Sequence, residues 1–487
     1  MTQKDTLTDI KENINASSSD RLITLSEQKS VIQPVVPKPT KYAYFVLGIL
    51  LLIYISNQWQ RSGYNLKPEA DDPYYNINFI PSFTDNYGYL AGASFTIPIS
   101  IVGIFMGALS DIVNRKVMLA FACILWSLMT FLQGFCEAFW QLCVCRIFLG
   151  IFQAACNPPA YSIMADYFHP QYRTTANSIY SLGIYLGGAL SSLSIVMITG
   201  VGWRWMFRII GIIGIGAGVL GLFLVREPLR GAFDTSKKST LVPEKKVKPS
   251  PLILFLRASK EIFVNPTCRW VCIAGSFRFF GGYAIGYYMP SYFGKVYPDE
   301  STLYSVLNSF VVSVGGFISA MSGGIIADRY EARFPMIKAW VCIAGSILGC
   351  PTIAVCTLYQ KNFGVSMFFL FLEYLFAECW TSSAITMLIN TISPENKGFG
   401  NIFLHQTFDL AVSAYLFFTT LAGTLSTFLL GQFESIYELK THPERYGYIL
   451  CAFVFFSYLG AVPWFIMSGF SYRTHLKKKE EEALNQQ

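Results

Sequence analysis

Polar residues in this chain come in short bursts, and apolar runs of about 20 residues separate them. A bilayer core needs about 20 apolar residues for each helix that crosses it. Twelve runs have that length, near residues 42–60, 87–109, 115–133, 138–165, 172–197 and 203–225, then 266–290, 303–326, 336–357, 364–390, 398–428 and 447–470. The fold class they predict is an all-α membrane protein of 12 transmembrane helices in two six-helix halves. A basic gap from Arg226 to Lys260 divides the halves. The expected organisation is a polar, disordered tail (1–41), a first half (42–225), a basic linker (226–264), a second half (265–470) and a short charged tail (471–487).

Composition strengthens that picture. The 487 residues are 53% hydrophobic and only 14% charged, where a soluble chain carries about a quarter charged residues. The net charge of +7 does not indicate nucleic acid, because the basic residues fall in the gaps between apolar runs. Lys and Arg bias in short loops sets orientation. One side collects Arg115, Lys116, Arg173, the basic linker, Arg329, Arg333, Lys338, Lys397 and the basic end of the chain. That side is expected to be cytoplasmic and to hold both termini. The plasma membrane and an endolysosomal or vacuolar membrane are both compatible with this pattern. The 12 cysteines show no C-x-x-C pair, and the four histidines (His169, His405, His442, His475) are scattered. No metal, no cofactor and no enzymatic activity is expected.

One short pattern repeats between the halves. Gly107-x-x-x-Asp111 ends the second helix, and Gly324-x-x-x-Asp328-Arg329 ends the eighth. Residues 107–116 read GALSDIVNRK. This segment resembles the loop signature of the major facilitator superfamily, between helices two and three. Arg146-x-x-x-Gly150, followed by Asp166 and Arg173, is similar to that superfamily's fourth-helix pattern. Within it, Trp203-x-Trp205-x-x-Arg208, Val225-Arg226-Glu227-Pro228-x-Arg230-Gly231, Asn265-Pro266, Glu373 with Trp380, and His405-x-x-x-Asp409 resemble the spinster-like transporters. The superfamily likeness covers about residues 42 to 470. It implies alternating access to a site near the midplane between the halves.

The chain departs from that family at two places. The family's first helix carries an Asp-Arg pair, where this chain has Gln60-Arg61. Its fourth helix carries a Glu seven residues after the Arg, where this chain has Gln153. The family's two acids are implicated in proton coupling, so a weakened or rerouted coupling is expected.

A charge at the centre of a membrane helix costs about 2.5–3.5 kcal/mol on insertion scales and usually faces the protein interior. Arg61, Arg146, Arg278, Glu373, Glu378 and Asp409 are such charges, with His405 beside them. Arg146, Gly150 and Gln153 share one helical face, as do Glu373 and Trp380. Arg146 has no acid near it in sequence. Its counter-charge is expected to be Glu373 or Asp409 of the other half, an anionic substrate headgroup, or a structural partner. Arg61, Arg146, Gln153, Arg278, Tyr287 and Trp380 are the candidate substrate-binding residues. Glu373, His405 and Asp409 are the candidate coupling residues. The resemblance makes Gly107, Asp111, Arg115, Lys116, Asp166 and Arg173 a cytoplasmic gate, with Asp328 and Arg329 as its second-half equivalent.

The functional expectation is secondary transport of a small organic solute. Three intramembrane arginines among aromatics favour an anionic amphiphile, such as a lysophospholipid or sphingoid phosphate, with protons as a candidate coupling ion. That substrate class rests largely on the family likeness. Two alternatives stand beside it: a carrier of small organic anions, and a transporter-derived scaffold or sensor that no longer transports. A static scaffold has no use for a breakable gate signature.

Overall fold

The structure, a computed structural model, describes residues 39–61, 72–74, 76–81, 83, 86–110, 113–229, 251–331, 333–391, 404–437 and 442–484. Lys41–Gln487 forms a unit of its own. Among the described residues every regular element is helical. In hydrocarbon each backbone N–H and C=O has to be paired within the protein, and a helix does this inside one segment.

Nine described segments are long and apolar enough to cross a membrane. One of them, Ala176–Leu224, holds two spans. It belongs to the long helix Pro170–Leu224, which is broken at Gly202, where φ is +79°. A side chain there would be strained by that φ, and its Cβ would meet Tyr74 at 2.7 Å. Only glycine lets the chain reverse at this point. Ser94–Ser110, entered through a π-turn at Tyr89–Ala93, and Pro266–Val296 complete the expected twelve. The first span is Lys41–Arg61. The face where it begins is called proximal below, and the face where it ends is called distal.

Local sequence sets the helix starts. Asn114 caps the third span (Arg115–Gln133), its Oδ1 accepting from Val117 N at 3.0 Å. Asn265 caps the seventh, with Pro266 supplying a first-turn residue that has no N–H to satisfy. Asn362 caps the tenth through Val365 N at 3.2 Å. Helix also occurs outside the expected spans at two places. The linker contains a helix, Pro251–Val264, whose Phe263 ring lies 5.1 Å from that of Phe418 on the eleventh span. The last helix runs on through 471 to Leu484, so the expected tail starts as its continuation.

The fourth and tenth spans occupy corresponding places in the two halves, and both are interrupted. The fourth is Phe139–Gln153 and Asn157–Tyr167, and the tenth is Phe363–Ala377 and Trp380–Thr391. Pro158 and Pro159 account for the first break, because neither offers an N–H to the preceding turn.

Glycines set the distances between spans. Gly183 and Gly187 bring the fifth span onto the first, where added Cβ atoms would meet Tyr54 at 2.6 Å and Gln58 at 2.4 Å. Gly103 and Gly107, which have the same spacing, have nothing within 4 Å. Among the described residues, the close approach that spacing suggests at the proximal end of the second span is therefore not seen.

One apolar cluster lies within each half. A third joins the halves and includes Ile77, Phe83, Tyr87, Ile198, Tyr288 and Tyr304, all toward the distal face. The hydrogen bonds between halves follow that distribution. Arg61 Nη2 donates to Tyr283 Oη (2.7 Å), Tyr87 Oη to Tyr287 O (3.2 Å) and Asn308 Nδ2 to Ser192 Oγ (2.7 Å), while Ser305 Oγ donates to Ser192 O. Gly88 and Gly92 lie so close to Thr427 that an added Cβ would meet its O at 2.4 Å or its Oγ1 at 2.0 Å. Nearer the middle, Ser100 and Thr420 pair at 3.1 Å.

Candidate functional site

The junction of the halves carries two arginines on one ring. The guanidinium carbons of Arg146 and Arg61 lie 4.9 Å and 5.4 Å from the centre of Phe95. Gly150, one turn from Arg146, makes this geometry available. A Cβ there would meet the Phe95 carbonyl at 2.5 Å, so its absence lets the second span press against the fourth.

Arg146 is fully buried. Its Nη2 donates to Arg61 O at 2.7 Å and its Nη1 to Gln60 O at 3.3 Å. Those carbonyls end the first helix. A helix C-terminus carries about half a negative charge on carbonyls without intrahelical partners, so part of the counter-charge of Arg146 is backbone. Arg61 is half-buried and reaches across to Tyr283, rather than outward to an interface. Among the described residues no carboxylate lies within ion-pair distance of Arg61. Tyr287 sits beside Tyr283, their rings 5.6 Å apart.

Gln153 stands at the break of the fourth span. Its Nε2 donates to Asn57 O at 3.1 Å, while its Oε1 and Asn57 Nδ2 are buried without a hydrogen-bond partner. Gln60 turns the other way. Its Nε2 donates to Ser56 Oγ (2.9 Å) and Ser127 Oγ (3.1 Å), and its Oε1 accepts from Thr130 Oγ1 (2.8 Å). The two amides are thus separate: Gln60 is bound between the first and third spans, and Gln153 sits beside the helix break.

The second half has a matching arrangement at its own break. Arg278 Nη2 donates at 2.6 Å to the carbonyl of Ala377, the last residue of the first tenth-span segment. Its guanidinium lies 3.7 Å from the Tyr458 ring centre and 5.4 Å from that of Trp380. Tyr458 Oη donates to Glu373 Oε1, and Glu373 is buried. Arg278 Nε and Nη1 are buried with no acceptor. Arg278, Glu373 and Trp380 therefore meet in one cluster with Tyr458, a residue the sequence analysis did not single out. Glu378 lies in the break itself. His405 and Asp409 lie on a helical segment, but their side chains fall outside the described set.

At the proximal face Arg115 joins three segments. Its Nη1 meets Asp166 Oδ2 at 2.6 Å and Ser162 Oγ at 2.8 Å, and its Nε meets Glu227 Oε1 at 2.7 Å. Lys116 contributes its backbone N–H to Glu227 Oε2 at 2.9 Å. Asp111 is outside the described residues, as is the side chain of Arg173. Glu227 is the member sequence reasoning missed; only its place in the Val225-Arg226-Glu227-Pro228 stretch signalled it.

The second-half pair requires correction. Asp328 and Arg329 are exposed and no bond between them is seen among the described residues. Adjacent helical positions point about 100° apart and do not face each other. The ion pair is instead Lys338 with Glu331, at 2.6 Å, and Asp328 stands 3.9 Å from the same Lys338. Tyr472 Oη donates to Glu331 at 2.5 Å and accepts from Asn390 Nδ2 at 3.0 Å. Arg115 thus ties the third span to the fourth and to the chain after the sixth, while Lys338 reaches the twelfth and tenth spans through Glu331 and Tyr472. Among the described residues no group of His, Cys, Asp and Glu is arranged to hold a metal.

Comparison with known proteins matches the profile of the Major Facilitator Superfamily to residues 42–412. The zebrafish (Danio rerio) sphingosine-1-phosphate transporter SPNS2 is 26% identical over 52% of this chain and 51% of its own length. Protein spinster homolog 1 of Xenopus tropicalis is 24% identical over 72% of this chain and 67% of its own. The cis,cis-muconate transport protein of Acinetobacter baylyi is 31% identical over 50% and 57%. The chain thus spans about half the length of the first of these relatives. Among solved structures, a bacterial homologue of the human lysosomal transporter spinster, inward-facing and unoccupied, superposes with a TM-score of 0.67. It shares 21% identity, with 90% of this chain and 98% of that one covered. The D-xylose-proton symporter gives 0.59 at 15% identity, with 86% and 96% covered.

Proposed function

The chain belongs to the Major Facilitator Superfamily, a family of secondary transporters and not of enzymes, and on that premise we propose that it carries an anionic amphiphile through the junction of its halves. The class we favour is a lysophospholipid or sphingoid phosphate. The observation that carries this reading is the pair of guanidiniums on Phe95, one of them hydrogen-bonded across the junction to a neutral phenol. Arginine bonds phosphate bidentately, and the aromatic floor suits an apolar chain. Arg278, with two unsatisfied donors beside Trp380 at the second helix break, is a further contact for the same solute. Helices interrupted at corresponding places in two repeats point to a transporter's site. The likeness to a protein named as a sphingosine-1-phosphate transporter supports this class.

The conformation described is closed at the distal face by Gly88, Gly92, Thr427 and the Arg61–Tyr283 bond. We assign the proximal face to the cytoplasm from its Lys and Arg excess, and Arg115 with Asp166 and Glu227 to its gate. Protons are the proposed coupling ion, with Glu373 their site.

The test is uptake into proteoliposomes of labelled lysophospholipids, sphingosine-1-phosphate and a panel of small organic anions, with and without a proton gradient. Arg61→Gln and Arg278→Gln run beside the wild-type chain. Uptake of the amphiphiles that both variants lose supports the proposal. The second reading, a carrier of small organic anions, is favoured by the likeness to the muconate transport protein, and predicts uptake of the small organic anions alone. No uptake of any anion by folded protein leaves the scaffold reading.

A further inference from the structure

We propose that the distal end of the sixth span holds an anionic phospholipid of the surrounding bilayer, at a site separate from the transport path. The sixth span begins after the Gly202 break with Trp203, Arg204, Trp205 and Arg208. Arg204 and Arg208 are one turn apart, about 6 Å along the axis on one face. Arg204 Nη1 donates to Cys136 O at 2.7 Å, and Arg208 Nη2 to Gly134 O at 2.9 Å. These carbonyls lie at the turn that follows the third span, so one donor of each arginine is spent on chain geometry.

Each guanidinium has five N–H donors in a planar fork. Arg208 Nε is buried with no acceptor. Among the described residues no carboxylate lies within ion-pair distance of either arginine. Two cations with no carboxylate partner among the described residues therefore stand together where the chain turns at the distal face. Their surroundings fix the depth. Arg208 lies 4.0 Å from the Phe135 ring centre and 4.9 Å from that of Trp205, and Arg204 lies 4.4 Å from that of Trp203. Trp203 is anchored inward, its Nε1 donating to Pro73 O at 3.2 Å. Trp205 and Phe135 are 45% and 51% exposed. Exposed aromatics of this kind sit at headgroup level, with apolar Ile212 and Ile213 exposed further along the same span.

A phosphate accepts bidentately from arginine, and a phospholipid there would place its chains over Trp205 and Ile212. The occupant is a bilayer lipid and not a soluble phosphate, because the cations are bordered by exposed apolar side chains. Net negative charge is selected because, among the described residues, no carboxylate neutralises the two cations. Capping of the 134–136 carbonyls alone would use one donor on each arginine and would give no preference among lipids.

Native mass spectrometry of the protein released from nanodiscs of phosphatidylcholine doped with phosphatidylglycerol tests this. The wild-type chain is expected to retain phosphatidylglycerol over phosphatidylcholine. Arg204→Gln/Arg208→Gln should lower that preference by about 30-fold, the product of two cations near the surface. Arg204→Lys/Arg208→Lys keeps both charges and should keep most of it. Equal retention by wild type and the glutamine variant overturns the proposal, as does a wild-type chain with no preference. Should the glutamine variant not fold, quenching by brominated lipids decides. Brominated phosphatidylglycerol should quench wild-type fluorescence more than brominated phosphatidylcholine does, and Trp205→Phe should abolish the difference. Equal quenching by the two lipids also overturns it.

Discussion

Tyr283→Phe removes one oxygen and with it the Arg61–Tyr283 bond between the halves. The ring remains, and so does its packing on Tyr287 (5.6 Å) and Phe279 (6.2 Å between centres). A hydrogen bond with one charged partner is worth about 1.5–3 kcal/mol. The bond spans the halves, so rocking that opens the distal face breaks it, and its worth belongs to the distally closed state alone. Its loss should shift the closure equilibrium by about 10-fold to 150-fold toward opening. Hydrogen exchange, followed by mass spectrometry on the distal stretches 86–95 and 283–296, reads that equilibrium directly. Exchange in both stretches should rise together in Tyr283→Phe, while thermal stability of the chain stays near wild type. Arg61→Met should raise exchange by a similar amount, and adding Tyr283→Phe to it should change little further. Additive effects would mean that the two side chains act independently. Unchanged exchange in Tyr283→Phe would refute the reasoning outright, because the bond would then be equal in both states or absent from the closed one.

Other outcomes follow from the same geometry. Gly150→Ala puts a Cβ 2.5 Å from the Phe95 carbonyl and should cost about 1–3 kcal/mol of stability; Gly103→Ala meets nothing and should melt with the wild type in the same thermal scan. Arg115→Ala removes the buried cation that meets Asp166 and Glu227; breaking a buried pair costs about 3–5 kcal/mol, so the variant should unfold at lower temperature and, on the proposed gate role, take up substrate slowly. Gln60→Asp places an acid among Ser56, Ser127 and Thr130 and should steepen the dependence of uptake on pH; a profile identical to wild type would remove Gln60 from the account of coupling.

The twelve spans were legible because the bilayer imposes a length on every one of them, and the composition left no other solvent in which such runs are stable. The Arg115–Asp166 ion pair was legible because both residues stand in motifs of the family. Glu227 was not, because only the packing of the third, fourth and sixth spans brings the chain after Leu224 to Arg115. Lys338 entered only as one of the basic residues of the cytoplasmic side and Glu331 not at all, because their pairing depends on how the eighth-to-ninth turn closes. The glycine pairs show the same limit. Gly183 with Gly187 and Gly103 with Gly107 have identical spacing, yet among the described residues only the first pair meets a neighbouring helix. Spacing states that an approach is permitted; the partner decides whether it occurs. The partners of Arg146 were hidden for a different reason. A helix end is made of backbone, which every residue carries, so no side chain in the sequence marks it.

That last point bears on how the two halves divide their work. Arg146 and Arg278 are both buried and both donate to carbonyls at the ends of helical segments, so backbone dipoles offset part of each charge. Neutral dipoles offset a cation only in part, and each arginine keeps attraction for a further negative group. The halves then differ in what stands nearby. In the first half the amides Gln60 and Gln153 occupy the positions where the spinster-like pattern has acids, and Gln60 already has partners for both its donors and its acceptor. In the second half a carboxylate, Glu373, is held by Tyr458 beside Arg278. An amide cannot gain or lose a proton across the working range of a transporter, while a carboxylate can. On the proposed reading, anion attraction is therefore shared by both halves, and proton exchange at Glu373 belongs to the second. Glu373→Gln should abolish any stimulation of uptake by a proton gradient while leaving exchange of labelled for unlabelled substrate intact. Stimulation that survives in the variant would move the coupling site elsewhere.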